Sequence, residues 1–165
     1  AHGIVLDMGT GSGIQAVEAA KSRKVVRVYA VDVDRGIIRH CKEKIVNKKI
    51  KFLTSNLFSA FEVDQRFKGI KFDTIVFNAP YLPDDEGIED AALYGGKQGH
   101  ELITLFLNKS RRFIKPTTDI LLVFSSATGK ETLDNWLIKN HYSFKETAKE
   151  HIFFEDIFVY LIKKD

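Results

Sequence analysis

Two short stretches of this chain combine side chains and backbone suited to chemistry. The first, Asp7-Met8-Gly9-Thr10-Gly11-Ser12-Gly13, has three glycines in five residues, directly after a β-branched run and before a helical pattern. Glycine permits positive φ and close backbone approach, and a helix start offers free N–H groups to a polar or anionic ligand. The spacing is GxGxG. Ile14 stands where a dinucleotide-binding turn has its third glycine, and no Gly-Lys-Ser/Thr closes the stretch as in a phosphate-binding loop. Thr10 and Ile14 also occupy the positions that glycines would fill around Ser12 in a nucleophile elbow. Next, 25 residues after Asp7, comes Asp32 in Val31-Asp32-Val33-Asp34. Asp34 suits a helix cap, which leaves the Asp32 carboxylate to accept both hydrogen bonds of a ribose diol above the sheet.

The second stretch is Asn78-Ala79-Pro80-Tyr81, where another β-branched run stops abruptly. The Asn78 side-chain oxygen and the Ala79 carbonyl are two acceptors for the hydrogens of a planar NH2 group. Pro80 biases Ala79 to an extended conformation that keeps its carbonyl projecting, and Tyr81 offers a flat face for an amide or base to stack on. Held this way, the nitrogen lone pair can meet an electrophilic methyl group. An amide nitrogen is a poor nucleophile, so alignment and desolvation must supply much of the rate.

The elements that must position these residues alternate strand and helix, the pattern of a parallel α/β sheet. Residues 3–7 read as a buried strand, and 14–21 as a helix with Ile14, Val17 and Ala20 on its apolar face. A strand over 25–33 leads through the Asp34 cap to a helix carrying Ile37, Ile38, Cys41 and Ile45. Residues 50–53 and 72–77 read as strands. A polar, acidic stretch of about 18 residues follows from Leu82 to Gly99, longer than ordinary connections. The pattern then predicts a helix over 100–114 stopped by Pro116, a strand over 120–124 and a helix over 131–140. Two final strands, roughly 143–153 and 156–163, turn at Glu155 and pair as a hairpin, so an antiparallel strand ends an otherwise parallel sheet.

The length of 165 residues implies a single domain spanning 1–165. With 44% hydrophobic and 28% charged residues the composition excludes disorder and low complexity, and the lone Cys41 excludes an internal disulfide framework. No apolar run approaches the roughly 18–20 residues of a membrane span, and no leader is visible, so a cytoplasmic protein without a membrane partner is expected. The net charge of +3 is too balanced to argue for nucleic acid, and the lysines at 48–51 and 163–164 read as solvated surface. The five histidines lack metal-ligand spacing, so no metal is expected, and His40 and Cys41 point in different directions on their helix. The acidic residues Asp84, Asp85, Glu86, Glu89 and Asp90 suit a solvated loop or a lid beside the site. Phe153 and Phe154 are expected to be half-exposed at the end of the sheet.

Taken together, VLDMGTGSG, AVDVD, SNLF, FDTIVFNAPYLP and ALYGGKQGHELI resemble the class I S-adenosylmethionine-dependent methyltransferases. They are most similar to the HemK-like release-factor glutamine methyltransferases of the archaeal and eukaryotic branch. The resemblance implies a Rossmann-like α/β fold, a seven-stranded sheet ordered 3-2-1-4-5-7-6 with the last strand antiparallel and helices on both faces. It implies S-adenosylmethionine as cofactor and S-adenosylhomocysteine as product. The cofactor residues would be Asp7, Gly9, Thr10, Gly11, Ser12, Gly13, Asp32, Val33, Asn56, Leu57 and Asn78. Catalysis would rest on Asn78, Ala79, Pro80 and Tyr81, acting on the glutamine of a Gly-Gly-Gln motif in a class I translation release factor.

The chain departs from the family pattern in three ways. Ala79 replaces the usual first proline but keeps the carbonyl. Asn56 replaces an aspartate beside the adenine and can still accept, without charge. A segment that covers the cofactor in relatives would lie upstream of the first strand. The resemblance also implies a small zinc-binding activator subunit, for which an edge strand over 50–53 is a natural point of strand addition. Its lysines serve equally as protection against aggregation. The same two acceptors would suit a flipped adenine, so an N6-adenine DNA or RNA methyltransferase is the alternative, with a lysine methyltransferase or a silent cofactor-binding scaffold beside it. The GxGxG spacing disfavours an NAD oxidoreductase.

Overall fold

A computed structural model describes residues 1–80 and 99–165. Tyr81, the acidic residues 84–90, and Gly95 and Gly96 lie outside the described residues. The strands are β1 (Gly3–Met8), β2 (Val25–Asp32), β3 (Ile50–Thr54), β4 (Phe72–Asn78), β5 (Ile114–Ser125), β6 (Tyr142–Ile152) and β7 (Glu155–Lys164). The helices are α1 (Ile14–Lys21), α2 (Arg35–Lys44), α3 (Ser59–Val63), α4 (Glu101–Ser110) and α5 (Lys130–Lys139). The sheet order is β3-β2-β1-β4-β5-β7-β6, with β1 parallel to β2 and β4 and β7 antiparallel to both β5 and β6. That is the expected order and the expected antiparallel strand. The chain divides into two compact units, residues 1–77 with 110–119 and residues 78–109 with 120–165.

In the first unit, alternate residues of β2 face opposite ways, as a strand requires. Val28 and Ala30 join Val5, Ala16, Ala20, Ile38, Cys41 and Phe52 in the core under α1 and α2. Tyr29 faces the other way and meets Phe61, Phe67 and Phe72 edge-on at 5.4–6.3 Å, an arrangement that the ring quadrupoles favour. α2 starts where Asp34 accepts from the Gly36 and Ile37 amides, as its sequence predicts. Of the expected apolar face of α1, Ala20 is buried and Val17 packs against the core, but Ile14 is 71% exposed and Ala16 is buried in addition. Helical periodicity points Ile14 inward, but as the first residue of α1 it lies at the helix end, beyond the stretch that packs on the core.

Phe113 and Ile114 are not helical. α4 ends at Ser110, four residues earlier than the periodicity predicts, where the Phe113 amide turns back to the Ser110 carbonyl at 2.7 Å and the Phe113 ring stacks on Phe58 with centroids 4.7 Å apart. β5 therefore begins at Ile114 and runs through Pro116. The proline is tolerated because Thr118 Oγ1 accepts from the Lys115 amide (2.8 Å) and donates to the Phe72 carbonyl (2.7 Å).

In the second unit, Phe124 of β5 packs against Tyr160 and Phe158 of β7, with centroids 4.8 and 5.4 Å apart. Leu133 and Leu137 of α5 are fully buried, and the Tyr142 hydroxyl donates to the Leu107 carbonyl at 2.9 Å. The hairpin turns at Phe153–Phe154 rather than at Glu155, because Ile152 already pairs with Glu155. Both phenylalanines are fully outside the core, not half-exposed.

Candidate active site

The turn after β1 is built by its own backbone. The Thr10 amide donates to the Val31 carbonyl and the Gly13 amide to the Thr10 carbonyl, both at 2.8 Å. Gly9, Gly11 and Gly13 all take positive φ. A side chain at Gly13 would lie 2.5 Å from Ile45 Cδ1, whereas one at Gly11 would meet nothing within 4 Å. Positive φ favours glycine at both positions; a Cβ at Gly13 would also press on the tip of Ile45 and touch Cys41 and Phe52, whereas Gly11 faces open space. α1 starts at Gly13 without a side-chain cap and without an acidic residue in its first turn. Ser12 is exposed, as is Gly9.

Asp7 is 1% exposed. Its Oδ2 accepts from Thr10 Oγ1 at 2.6 Å, while Oδ1 is buried with no hydrogen-bond partner among the described residues. Burial pushes the carboxyl up to about 6, against the pull of the Thr10 hydroxyl and of the Ala16 amide, which faces the carboxylate without closing a hydrogen bond of normal geometry, and with a smaller push from Asp32.

Asp32 is not free, contrary to expectation. Its Oδ2 accepts from the Gly11 amide and its Oδ1 from the Asp34 amide, both at 3.0 Å. Asp34 does cap α2, but the chain crossing from β2 into that cap brings its own amide onto Asp32. The carboxylate thus joins the glycine turn to the end of β2, and each oxygen keeps a further acceptor site. Cys41 completes the tie, its thiol donating to the Gly11 carbonyl at 3.2 Å. Burial and the charges of Asp32 and Asp7 raise the Cys41 pKa, the opposite of what a thiolate nucleophile needs. Val33, next in the chain, is 56% exposed.

The β3–α3 turn adjoins this carboxylate, because the Ser55 amide donates to the Asp32 carbonyl at 2.8 Å. Ser55 belongs to the SNLF stretch but is not among the expected site residues. It is 4% exposed, its hydroxyl donates to the Leu57 carbonyl at 2.6 Å, and it accepts from the Ala60 amide. These bonds hold Leu57 at φ +48, a strained conformation for a branched side chain of the kind that clusters at ligand clamps. Asn56 beside it is exposed. The signal was available as hydroxyls on both sides of the turn, Ser55 and Ser59, which favour side-chain-to-backbone turns.

Phe77 of β4 pairs in register with Met8 of β1, and Asn78 is the next residue. Asn78 is exposed and Ala79 is 2% exposed, its amide donating to the Val123 carbonyl at 3.3 Å. Pro80 is half-buried. A cavity of about 430 Å³ lined by Phe61, Phe67, Lys68, Ile70, Arg112 and Phe113 shares no residue with any of these turns.

Comparison with known proteins gives these features a family. The family model described as "Methyltransferase small domain" matches residues 1–154. The chain is 31% identical to a putative protein N5-glutamine methyltransferase of Methanocaldococcus jannaschii, over 94% of this chain and 78% of that protein. It is 37% identical to a release factor glutamine methyltransferase of Rhodopirellula baltica, over 64% of this chain but only 39% of that longer relative. Among solved structures, the E. cuniculi Mtq2–Trm112 complex, responsible for methylation of the eRF1 translation termination factor, superposes with a TM-score of 0.74 at 21% identity, covering 99% of this chain and 86% of the other. The chain belongs to the methyltransferase small domain family and is a HemK-like class I, S-adenosylmethionine-dependent N-methyltransferase.

Proposed function

We propose that this protein methylates the side-chain nitrogen of a glutamine, in the Gly-Gly-Gln motif of a class I translation release factor. The observation that carries the reading is the register of β1 and β4. Met8 leads into the glycine turn, and its partner Phe77 leads into Asn78-Ala79-Pro80-Tyr81.

The residues present fit the cofactor. Asp7 offers a buried, unpartnered Oδ1 to a cationic group, and Gly11 leaves space where any other residue would carry a side chain. Asp32 keeps acceptor capacity for a ribose, and the exposed Val33 and the Asn56–Leu57 turn would flank a base. S-adenosylmethionine supplies an electrophilic methyl carbon on a sulfonium. Everything else falls to the chain. Asn78 Oδ1 and the Ala79 carbonyl accept the two amide hydrogens and so orient the nitrogen. The Ala79 amide is fixed on Val123, which restrains the carbonyl that follows it, and Pro80 restrains it from the other side. Orientation of a weak nucleophile in a dry site is the rate-giving contribution, because these groups are acceptors and not bases; the N–H proton displaced by the new N–C bond would pass to water as the methylated amide leaves.

The reading extends to the setting. The two units work as one methyltransferase domain, in the cytoplasm where release factors act. Among the described residues no helix is long and apolar enough to cross a membrane. β3 stands at the end of the sheet order, which suits strand addition by a small zinc-binding activator subunit.

The test is transfer of label from S-adenosylmethionine to a release factor, to its Gln-to-Asn variant, and to duplex DNA. Label is expected on the release factor only, and label on DNA alone would reject the reading in favour of the adenine alternative. Asn78→Ala is expected to lower turnover about 100-fold or more, with cofactor affinity within a few-fold. The chain assayed alone also reads whether a subunit is required.

A further inference from the structure

The β6–β7 turn breaks two rules at once. Phe153 and Phe154 are 87% and 101% exposed, although aromatic side chains of this size ordinarily bury most of their surface. Phe153 also sits at φ +54, where a tight hairpin turn favours glycine or asparagine. Residues that violate both burial and turn chemistry mark places where function overrides local preference.

The tip stands on a braced base. Asp156 binds Lys149 Nζ and His151 Nδ1 across the hairpin, each at 2.9 Å. The Asp156 amide donates to Ser126 Oγ at 3.0 Å, and Glu155 accepts from the Ser125 hydroxyl. The turn is thus tied to the C-terminal end of β5. Within the same unit, the Ala79 amide binds the Val123 carbonyl, and Val123 pairs with Val159 of β7. From Val159 back to Phe154 is five residues, about 16 Å at the usual strand rise, and β5 to β7 and β6 adds about 10 Å sideways. The phenylalanines therefore project past the end of β5, roughly 20 Å from Ala79.

That distance is too long for the target motif alone and suits a folded partner. An extended tripeptide spans only about 10 Å, whereas a folded protein whose contact surface is about 800 Å² covers both points. We propose that Phe153 and Phe154 form a docking point for an apolar patch on the folded protein that carries the target glutamine. The proposal rests on the glutamine reading above. Aromatic anchors of this kind dominate protein interfaces because they bring large rigid area at small entropic cost.

The test uses the full chain and the double variant Phe153→Gly with Phe154→Ser. Glycine suits φ +54, so the hairpin is expected to survive, and unchanged cofactor affinity checks this. Against folded release factor the KM should rise about tenfold or more with kcat little changed, while turnover of a short Gly-Gly-Gln peptide stays within twofold. An unchanged KM for the folded factor overturns the proposal, as does an equal loss on the peptide. If the wild-type chain methylates neither, the glutamine reading fails by itself; direct binding of the factor then reads the docking point, and equal affinity of wild type and variant overturns it. A dimer that dissociates in the variant with the factor's KM unchanged assigns the tip to a second copy and likewise overturns it.

Discussion

Asp7 carries a cost in stability that its proposed place in the cofactor site would account for. Its folded pKa of about 6 lies above the ordinary 3.8, so between those values the folded protein holds more protons than the unfolded chain. Stability from this group consequently falls as pH rises from about 4 to 6, and above 6 the full penalty of a buried carboxylate remains. Asp7→Asn keeps an acceptor for the Thr10 hydroxyl and removes the charge. Without cofactor it should melt higher than wild type at pH 7.5, by on the order of 2 kcal/mol, with the difference vanishing near pH 4. The same carboxylate must be ionised to hold a cationic group, so wild-type affinity for S-adenosylmethionine should weaken below pH 6. The Asn variant should bind weakly at every pH, and a calorimetric titration across pH 5–8 reads both. An unpaired oxygen at Asp7 was not legible in the sequence, because it depends on how closely α1 approaches β1.

At the scale of elements, the glycine turn separates two requirements that share one motif. Gly13→Ala places a Cβ at φ +80 and makes the tip of Ile45, 2.5 Å away, turn aside, which should lower stability by about 1–2 kcal/mol, seen as a drop in the denaturant midpoint. Gly11→Ala carries only the backbone penalty of about 1 kcal/mol at φ +51, and its larger effect should be on cofactor affinity. An equal pattern in both variants would mean the open space at Gly11 has no ligand. The turn itself was readable because glycine spacing is a local signal, and so were the Asp34 cap and the sheet order implied by the family resemblance. The errors arose where tertiary packing overrides a local pattern. Pro116 reads as a helix stop, yet Thr118 supplies the missing bonds inside a strand, and Phe113 stacks on Phe58 after α4 has ended at Ser110. Asp32 looked free because nothing local announces that the amides of Gly11 and Asp34 converge on it.

For the molecule as a whole, charge decides between the glutamine reading and its nucleic-acid alternative. Basic residues exceed acidic ones by only 25 to 22, and the lysine clusters are partly committed to the fold. Lys49 Nζ donates to the Ala20 and Ser22 carbonyls at the end of α1, and Lys164 Nζ donates to the His141 carbonyl. A protein that neutralises 6–10 phosphates loses about 10³–10⁵ in affinity between 50 and 200 mM salt, because each contact releases a condensed counterion. A docking mode built on two phenylalanines and an uncharged amide releases no such atmosphere, and apolar burial is insensitive to salt in this range. The kcat/KM for release factor should accordingly change less than about tenfold between 50 and 200 mM NaCl, apart from ordinary screening of surface charge. A drop approaching 10³ would place phosphate contacts at the centre of recognition. It would then move the assignment from a glutamine nitrogen to the exocyclic amine of adenine, since the acceptors proposed at Asn78 and Ala79 would serve either group.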